Sequence, residues 1–517
     1  MRTKVLLLKN VSSSWFGLAT NIVVGLLLSP FILHHLGDSA FGIWILIFSL
    51  TGYYGIFDLG IRSSVVRYVA KFHATNDTER LNKVINTSLF LYTAIGALAL
   101  LVTVVGCWSV DSWFRIPPEF STTARWLFLM VGSAVALGFP MGVFNGILEG
   151  LQRFYILNLT NIFFTVLRAV LIVAALNHGY GLLTVAAITV LLPLLTSLVR
   201  AGLVLRILPL RFGPRQLDRS SLRDIVTYSS ATFMIMIAYK LRFKTDELVI
   251  GAFLSSAAIT YFAIADRLVD YASDTVGSLA QIVVPMSSHS EARGDAHNLR
   301  RIFVMGNRGC ALVAFPLAAS LIVLGKSIIE AWVGPRYVAT SYPVLLVLLI
   351  PGVFKLSQGA SPRVLFGMGK HRILGFVTLM EGITNLILSI VLVRRFGIFG
   401  DALGTALPLT CTTLFFFPRH LCRVLEVRLG AFLREAYLLP LSLCVPLVAV
   451  MLGIRHWFVP HGYSQLAFQL TVAGALYGAE VLWVMRTRQL WKVGDLVHRP
   501  RRTAAPIAPT TALEEKA

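Results

Sequence analysis

Apolar runs of membrane-spanning length, separated by short polar stretches, dominate this chain. A helix that crosses a bilayer needs about 20 largely apolar residues. Runs of that kind fall at residues 12–33, 41–61, 84–107, 123–148, 156–175, 182–205, 225–253, 257–285, 302–324, 342–366, 373–393, 399–417, 436–454 and 466–485. The pattern predicts an all-α polytopic membrane protein of about fourteen transmembrane helices. The longest connections, 62–83, 206–223 and 289–301, read as basic loops too short to hold a folded domain. The first run is too long for a signal-peptide core and lacks a clear cleavage site, so it reads as the first span.

Composition agrees. The chain is 56% hydrophobic and 14% charged, where a soluble domain carries nearer a quarter charged residues. Its net charge of +21 would suggest nucleic acid in a soluble protein. Here the Lys and Arg lie mostly between the apolar runs, so they report topology and no nucleic-acid partner is expected. With both termini on one side, that side carries 31 of the 46 Lys+Arg, among them Arg2, Lys9, Arg153 and the tail from Arg486. The other side carries six: Arg115, Lys326, Arg336, Arg394, Arg395 and Arg455. The positive-inside rule then puts both termini in the cytoplasm and favours an even number of helices.

A shift of 218 residues superposes two halves of the chain. It places Leu36–Trp44 on Leu254–Phe262, and Asn76–Lys83 on Gly294–Arg301. A shift of 219 places Gly150–Arg153 on Gly369–Arg372. The shift spans six helices, so the repeats are parallel, as in transporters that bind substrate between two lobes. The expected division is a six-helix lobe at 1–208, a basic linker at 209–223, a second pseudo-symmetric lobe at 224–423, two more helices within 424–486, and a disordered tail at 487–517.

Short motifs carry a resemblance to a known family. Leu28-Ser29-Pro30-Phe31-Ile32-Leu33-His34-His35-Leu36-Gly37 and Ala40-Phe41-Gly42-Ile43-Trp44 resemble the opening of bacterial polysaccharide-transport flippases of the O-antigen type. Asp58-Leu59-Gly60-Ile61, Val66-Arg67-Tyr68-Val69-Ala70 and Asp246-Glu247-Leu248-Val249-Ile250-Gly251 are similar to the same family. That family sits in a superfamily with multidrug exporters and the peptidoglycan-precursor flippase. The resemblance implies a multi-pass protein of the bacterial inner membrane that flips a polyprenyl-diphosphate-linked oligosaccharide for surface polysaccharide synthesis, alongside a polymerase machinery. An ion-coupled multidrug or metabolite exporter is the alternative.

Ionisable residues inside the membrane are costly and suggest function. At 100° per residue, Lys240, Lys244 and Glu247 share one arc of the seventh helix, with Arg242 and Asp246 nearly opposite. Asp266, Asp270 and Asp274 form a stripe on the eighth, bordered by Arg267. A tight turn near 254–256 would set Lys240 level with Asp270, and Lys244 level with Asp266. These charges therefore either pair to hold two helices together or serve transport. Asn158, Asn161, Thr165 and Arg168 form a polar stripe on the fifth helix; Thr378, Glu381, Asn385 and Ser389 form its counterpart on the eleventh. Lys355 lies mid-span in the tenth.

Arg168, Lys240, Arg242, Lys244, Arg267 and Lys355 balance Asp246, Glu247, Asp266, Asp270, Asp274 and Glu381, which makes a mixed site. The cations and Asn161 are the candidates for holding a diphosphate-sugar head group. The carboxylates either neutralise them or exchange H+ or Na+, with Asp270 and Asp274 foremost. No cofactor or metal is expected, because Cys107, Cys310, Cys411, Cys422 and Cys444 fit no metal or disulfide spacing. An enzyme is disfavoured: the outer connections are short and hold no Asp-x-Asp, and no phosphate-binding GKS/T loop occurs. A passive scaffold has little reason to carry so many mid-membrane charges.

Overall fold

The structure is a computed structural model that describes residues 2–213, 216–227, 229, 245–370, 372–457, 460 and 462–487. The helices used below are α1 Arg2–Leu36, α2 Asp38–Gly52, α3 Ile61–Ala74, α4 Thr78–Gly106, α5 Ser121–Gly150, α6 Phe154–Asn177 and α7 Leu182–Ile207. The second half supplies α8 Asp246–Phe253, α9 Ser256–Ala280, α10 Val283–Ala292, α11 Ala296–Val333, α12 Val338–Ser357, α13 Ala360–Gly367 and α14 Arg372–Thr410. Two further helices follow, α15 Leu439–Trp457 and α16 Tyr463–Arg486.

The protein is an all-α polytopic membrane protein. Eleven segments among the described residues are long and apolar enough to cross a bilayer. One of them, Arg372–Val424, has 53 residues, which at 1.5 Å per residue is far longer than the membrane is thick. It breaks at Gly397, whose φ of 59° and ψ of −140° leave the helical region. Glycine lacks the Cβ that disfavours positive φ. The two expected spans 373–393 and 399–417 lie on either side of that break. The eighth expected span is α9, whose Asp266, Arg267, Asp270 and Asp274 make it too polar to score as an apolar crossing. The seventh is described at its two ends only; Lys240, Arg242 and Lys244 lie outside the described residues, as do the tail beyond 487 and part of the linker.

The repeat is visible in local geometry. Asn76 and Gly294 both have positive φ, 54° and 65°, and are 218 residues apart. Each precedes an N-cap aspartate. Asp77 Oδ1 accepts from Arg80 N at 3.0 Å and Asp295 Oδ1 from Asn298 N at 2.9 Å. Packing recurs too: α4 on α5 is matched by α11 on α12, and α1 on α6 by α8 on α14. One register changes. The turn after α5 has positive φ at Gln152 (57°) and the turn after α13 at Gly369 (70°). In each, the following residue bonds five residues back, Arg153 to Leu148 and Lys370 to Leu365, at 2.9 Å. Gln152 therefore corresponds to Gly369, a shift of 217 and not 219. Turn geometry sets the register there, and side-chain likeness misled it.

The stretch 62–83, expected as a basic loop, is mostly the helix α3. Ile61, Val65, Val69 and Phe72 are buried, while Arg62, Arg67 and Lys71 are exposed. That is an amphipathic helix lying along the bundle. The eighth span is also shorter than expected, ending at Ala280, with α10 as a separate helix.

The described part of the linker lies along α4. Asn86 donates to Arg211 O at 2.8 Å and accepts from Gly213 N at 3.1 Å. Asn82 accepts from Arg211 N at 2.8 Å. The equivalent helix α11 holds the chain after α14 in the same way, through Arg300 to Leu425 O and Arg308 to Glu435 O, each at 2.7 Å. The last two helices pack on α11 through Leu324, Leu447, Met451 and Ala473.

The halves meet at the end opposite the amino terminus, where α2 packs on α9. A Cβ on Gly42 would lie 1.8 Å from Ser256 O, so only glycine fits there. Thr260 Oγ1, at the position 218 residues on, donates to Asp38 O at 2.7 Å. The pseudo-twofold axis thus runs between these two helices.

Candidate functional site

A cavity of about 1190 Å³ lies between the halves. It runs from Asp246, Asn385 and Thr405 to Asn10, Ser14 and Ile282 at the amino-terminal end of the bundle. Ser14, Gln281 and Ile282 are exposed, so it reaches the surface there. At the opposite end it is sealed by bonds that join the halves. Trp332 Nε1 donates to Leu26 O at 2.6 Å, Arg115 N donates to Gly251 O at 2.9 Å, and Arg336 bonds Asp38 at 2.8 Å.

The predicted stripe of α9 forms one wall. Asp266, Asp270 and Asp274 line the cavity with Arg267. Their i, i+4, i+8 spacing turns one face of the helix inward, while its apolar residues Ile264, Leu268, Ala272 and Val276 are buried in the core. Lys355 on α12 and Glu381 on α14 line it as well. Asp246, at the start of α8, completes the set; its two carboxylate oxygens each lie 3.0 Å from Thr405 Oγ1. Asn385 donates to Thr405 Oγ1 at 2.9 Å. Among the described residues the wall therefore holds Asp246, Asp266, Asp270, Asp274 and Glu381 against Arg267, Lys355 and Arg363. It is mixed in sign, with carboxylates in excess.

The other candidates lie elsewhere. Glu247 is 5% exposed and does not line the cavity. Asn161 and Arg168 are also off its wall. They occupy the face of α6 opposite its exposed Leu159, Phe163, Val166 and Val170; Asn161 is itself exposed and Arg168 half-buried. Asn158 of the same stripe serves packing, donating to Ser13 and Ser14 of α1 at 3.0 Å. Lys240, Arg242 and Lys244 are outside the described residues, and so are their expected pairings with Asp266 and Asp270.

Two site residues escaped the sequence reading. Arg363 sat in what read as the end of a span; it lines the cavity and donates to Gly359 O at 2.6 Å and Gly277 O at 3.1 Å, tying α13 to α9. Asp401 stood two residues into the apolar run 399–417 and was not singled out. It is 0% exposed, and neither of its carboxylate oxygens has a hydrogen-bond partner among the described residues. Its position just after Gly397, away from any polar stripe, gave no signal of burial.

Outside the membrane-spanning segments the charges are conventional. Asp218 in the linker is held down to about 2 by hydrogen bonds from Ser220 and Ser221. Asp111 is held below the usual carboxylate range by Arg125, at 2.6 Å, and by Ser121. All five cysteines are free.

Residues 7–291 match the family described as polysaccharide biosynthesis protein. A Shigella flexneri protein named for O-antigen transport is 22% identical over 406 residues, covering 77% of this chain and 94% of that protein. Among solved structures, the lipid II flippase MurJ in an inward closed conformation superposes with a TM-score of 0.72 at 14% identity, over 93% of this chain and 99% of the other. A multidrug resistance MATE family transporter of the MOP superfamily, inward-facing, superposes at 0.66 and 16% identity, over 80% and 94%. At such identities the likeness shows a shared fold.

Proposed function

Because the chain belongs to the polysaccharide biosynthesis protein family, we propose that it is a flippase for a lipid-linked oligosaccharide in the bacterial inner membrane. The observation that carries this reading is the charged cavity between the halves, reaching the surface at one end only. With both termini cytoplasmic, that end faces the cytoplasm. A polyprenyl-diphosphate sugar enters from the inner leaflet, its head group crosses in the cavity, and its lipid tail stays in the bilayer. Arg267, Lys355 and Arg363 attract the diphosphate. Nearby carboxylates keep those cations from holding it too tightly and exchange H+ or Na+ during the cycle. The halves then rock so that the sealed end opens. The names of the Shigella relative and of the lipid II flippase support the substrate class. No chemistry on the substrate is required, so the protein acts as a carrier beside the polymerase machinery.

One observation favours a second reading. The described wall has more carboxylates than cations, which suits a cationic substrate, and the MATE transporter shares the fold. Deleting the gene in its host separates the two. Loss of surface polymer with lipid-linked sugar trapped inside is expected. Normal polymer, no trapped intermediate and new sensitivity to cationic compounds would place the protein with the exporters.

A further inference from the structure

We propose that Asp401 is a proton-binding residue of the transport cycle: it carries a proton while the outer end is sealed and gives it up when rearrangement of the halves brings it to water. This deepens the transporter reading and depends on it for the proton's role, but not for the proton's presence.

The case rests on burial and on neighbours. Asp401 is 0% exposed, and both Oδ atoms lack a hydrogen-bond partner among the described residues. An ionised carboxylate in that position would have lost its hydration with no hydrogen bond to either oxygen among the described residues to offset the loss. A proton removes the charge and with it most of the cost. Among the described residues, no nearby group supplies a countercharge: the charges whose field reaches Asp401 are those of Asp246 and Glu247 on α8 and of Asp266 on α9, all carboxylates. Asp246 and Glu247 are themselves 8% and 5% exposed. A further negative charge among them is opposed by each one that is ionised.

The occupant is a proton and not Na+, for a geometric reason. A metal cation needs several oxygen ligands around it. Among the described residues no three His, Cys, Asp or Glu side chains are grouped to hold a metal ion, and the Ser389 hydroxyl donates to the Asp401 carbonyl and to Asn385 Oδ1, each at 3.3 Å. A proton needs no such shell.

A way out is present. Asp401 lies one helical turn from Thr405 on the same helix. Thr405 bonds Asp246 and Asn385, and all three line the cavity. On release, the O–H bond of Asp401 breaks and the proton passes to the Asp246 carboxylate or to cavity water. No electron transfer is involved.

Infrared spectroscopy of the purified full chain in nanodiscs at neutral pH tests the proposal. A carbonyl-stretch band of a protonated carboxyl group is expected, and Asp401→Asn should remove it while leaving thermal stability near that of the wild type. Absence of such a band from the wild type, or a band that Asp401→Asn leaves unchanged, overturns it. The wild-type spectrum keeps the test decisive if the variant fails to fold. In proteoliposomes, lipid-linked sugar flipping by the wild type should respond to an imposed pH gradient, and flipping by Asp401→Asn should not. Flipping by the variant that keeps a full response overturns the coupling role. A wild type that flips nothing yet shows the Asp401-dependent band would sink the flippase reading and leave the proton site standing.

Discussion

Asp111 and Asp401 are both aspartates beside a membrane span, and they sit in opposite settings. Asp111 faces Arg125 at 2.6 Å with its side chain 20% exposed. It is held below the usual carboxylate range by that partner. A depressed native value stabilises the fold fully above the unfolded carboxylate value near 4. The contribution fades as pH falls through that value and is gone below the native one. Asp111→Asn should therefore lower stability at neutral pH, by under about 1 kcal/mol for so exposed a pair, and should flatten the loss of stability on acidification below pH ~4. Thermal melts of both forms between neutral and acidic pH check this. An Asn form that melts like the wild type at neutral pH but lower in acid would contradict it. Among the described residues no cation's field reaches Asp401, and its burial decides its charge. Sequence places Asp111 in the connection between the runs 84–107 and 123–148 and Asp401 just inside the run 399–417, but it does not report which of them meets a cation.

At the scale of helices, the stripe on α9 was legible because 3.6-residue periodicity fixes which side chains share a face. The amphipathic α3 was less so. Its four buried apolar residues are interleaved with basic ones, and the stretch read as a charged loop until its packing against α5 was seen. The register of the turns after α5 and α13 depended on backbone φ, which side-chain likeness does not report. The contact of α2 with α9 makes a further testable point. A methyl group on Gly42 would meet the Ser256 carbonyl, and overpacking of this kind costs about 1–3 kcal/mol. Gly42→Ala should lower the melting temperature in detergent. Gly453→Ala, at a helical glycine with nothing within 4 Å of its missing Cβ, should not. Equal melting of the two variants would argue against the contact.

Across the whole molecule, the structure is open at one end and held shut at the other, and a small set of polar contacts belongs to the shut end. Asp38 of the first half bonds Arg336 and Tyr337 of the second. Arg336 is 58% exposed, so the pair is worth about 0.2–1 kcal/mol. Arg336→Ala should raise the population opened at that end by about 1.4- to fivefold. Pulsed distance measurements between spin labels on Ser112 and Arg395, both exposed, would show it as growth of the longer-distance population. An unchanged distribution would mean that apolar packing alone keeps the end closed. By itself the sequence determined the solvent, the all-α architecture, the expected orientation and the twofold repeat. Each follows from hydropathy, from loop charge or from spacing along the chain. It also picked out Asp246, Asp266, Arg267, Asp270, Asp274, Lys355 and Glu381, which the fold gathers on one cavity. Only the tertiary structure decided which candidates meet there, which end is sealed, that Arg363 belongs to the wall and that Asp401 is buried with no hydrogen bond to its carboxylate among the described residues. Those depend on how helices distant in sequence pack, and burial of a single carboxylate is a property of its neighbours.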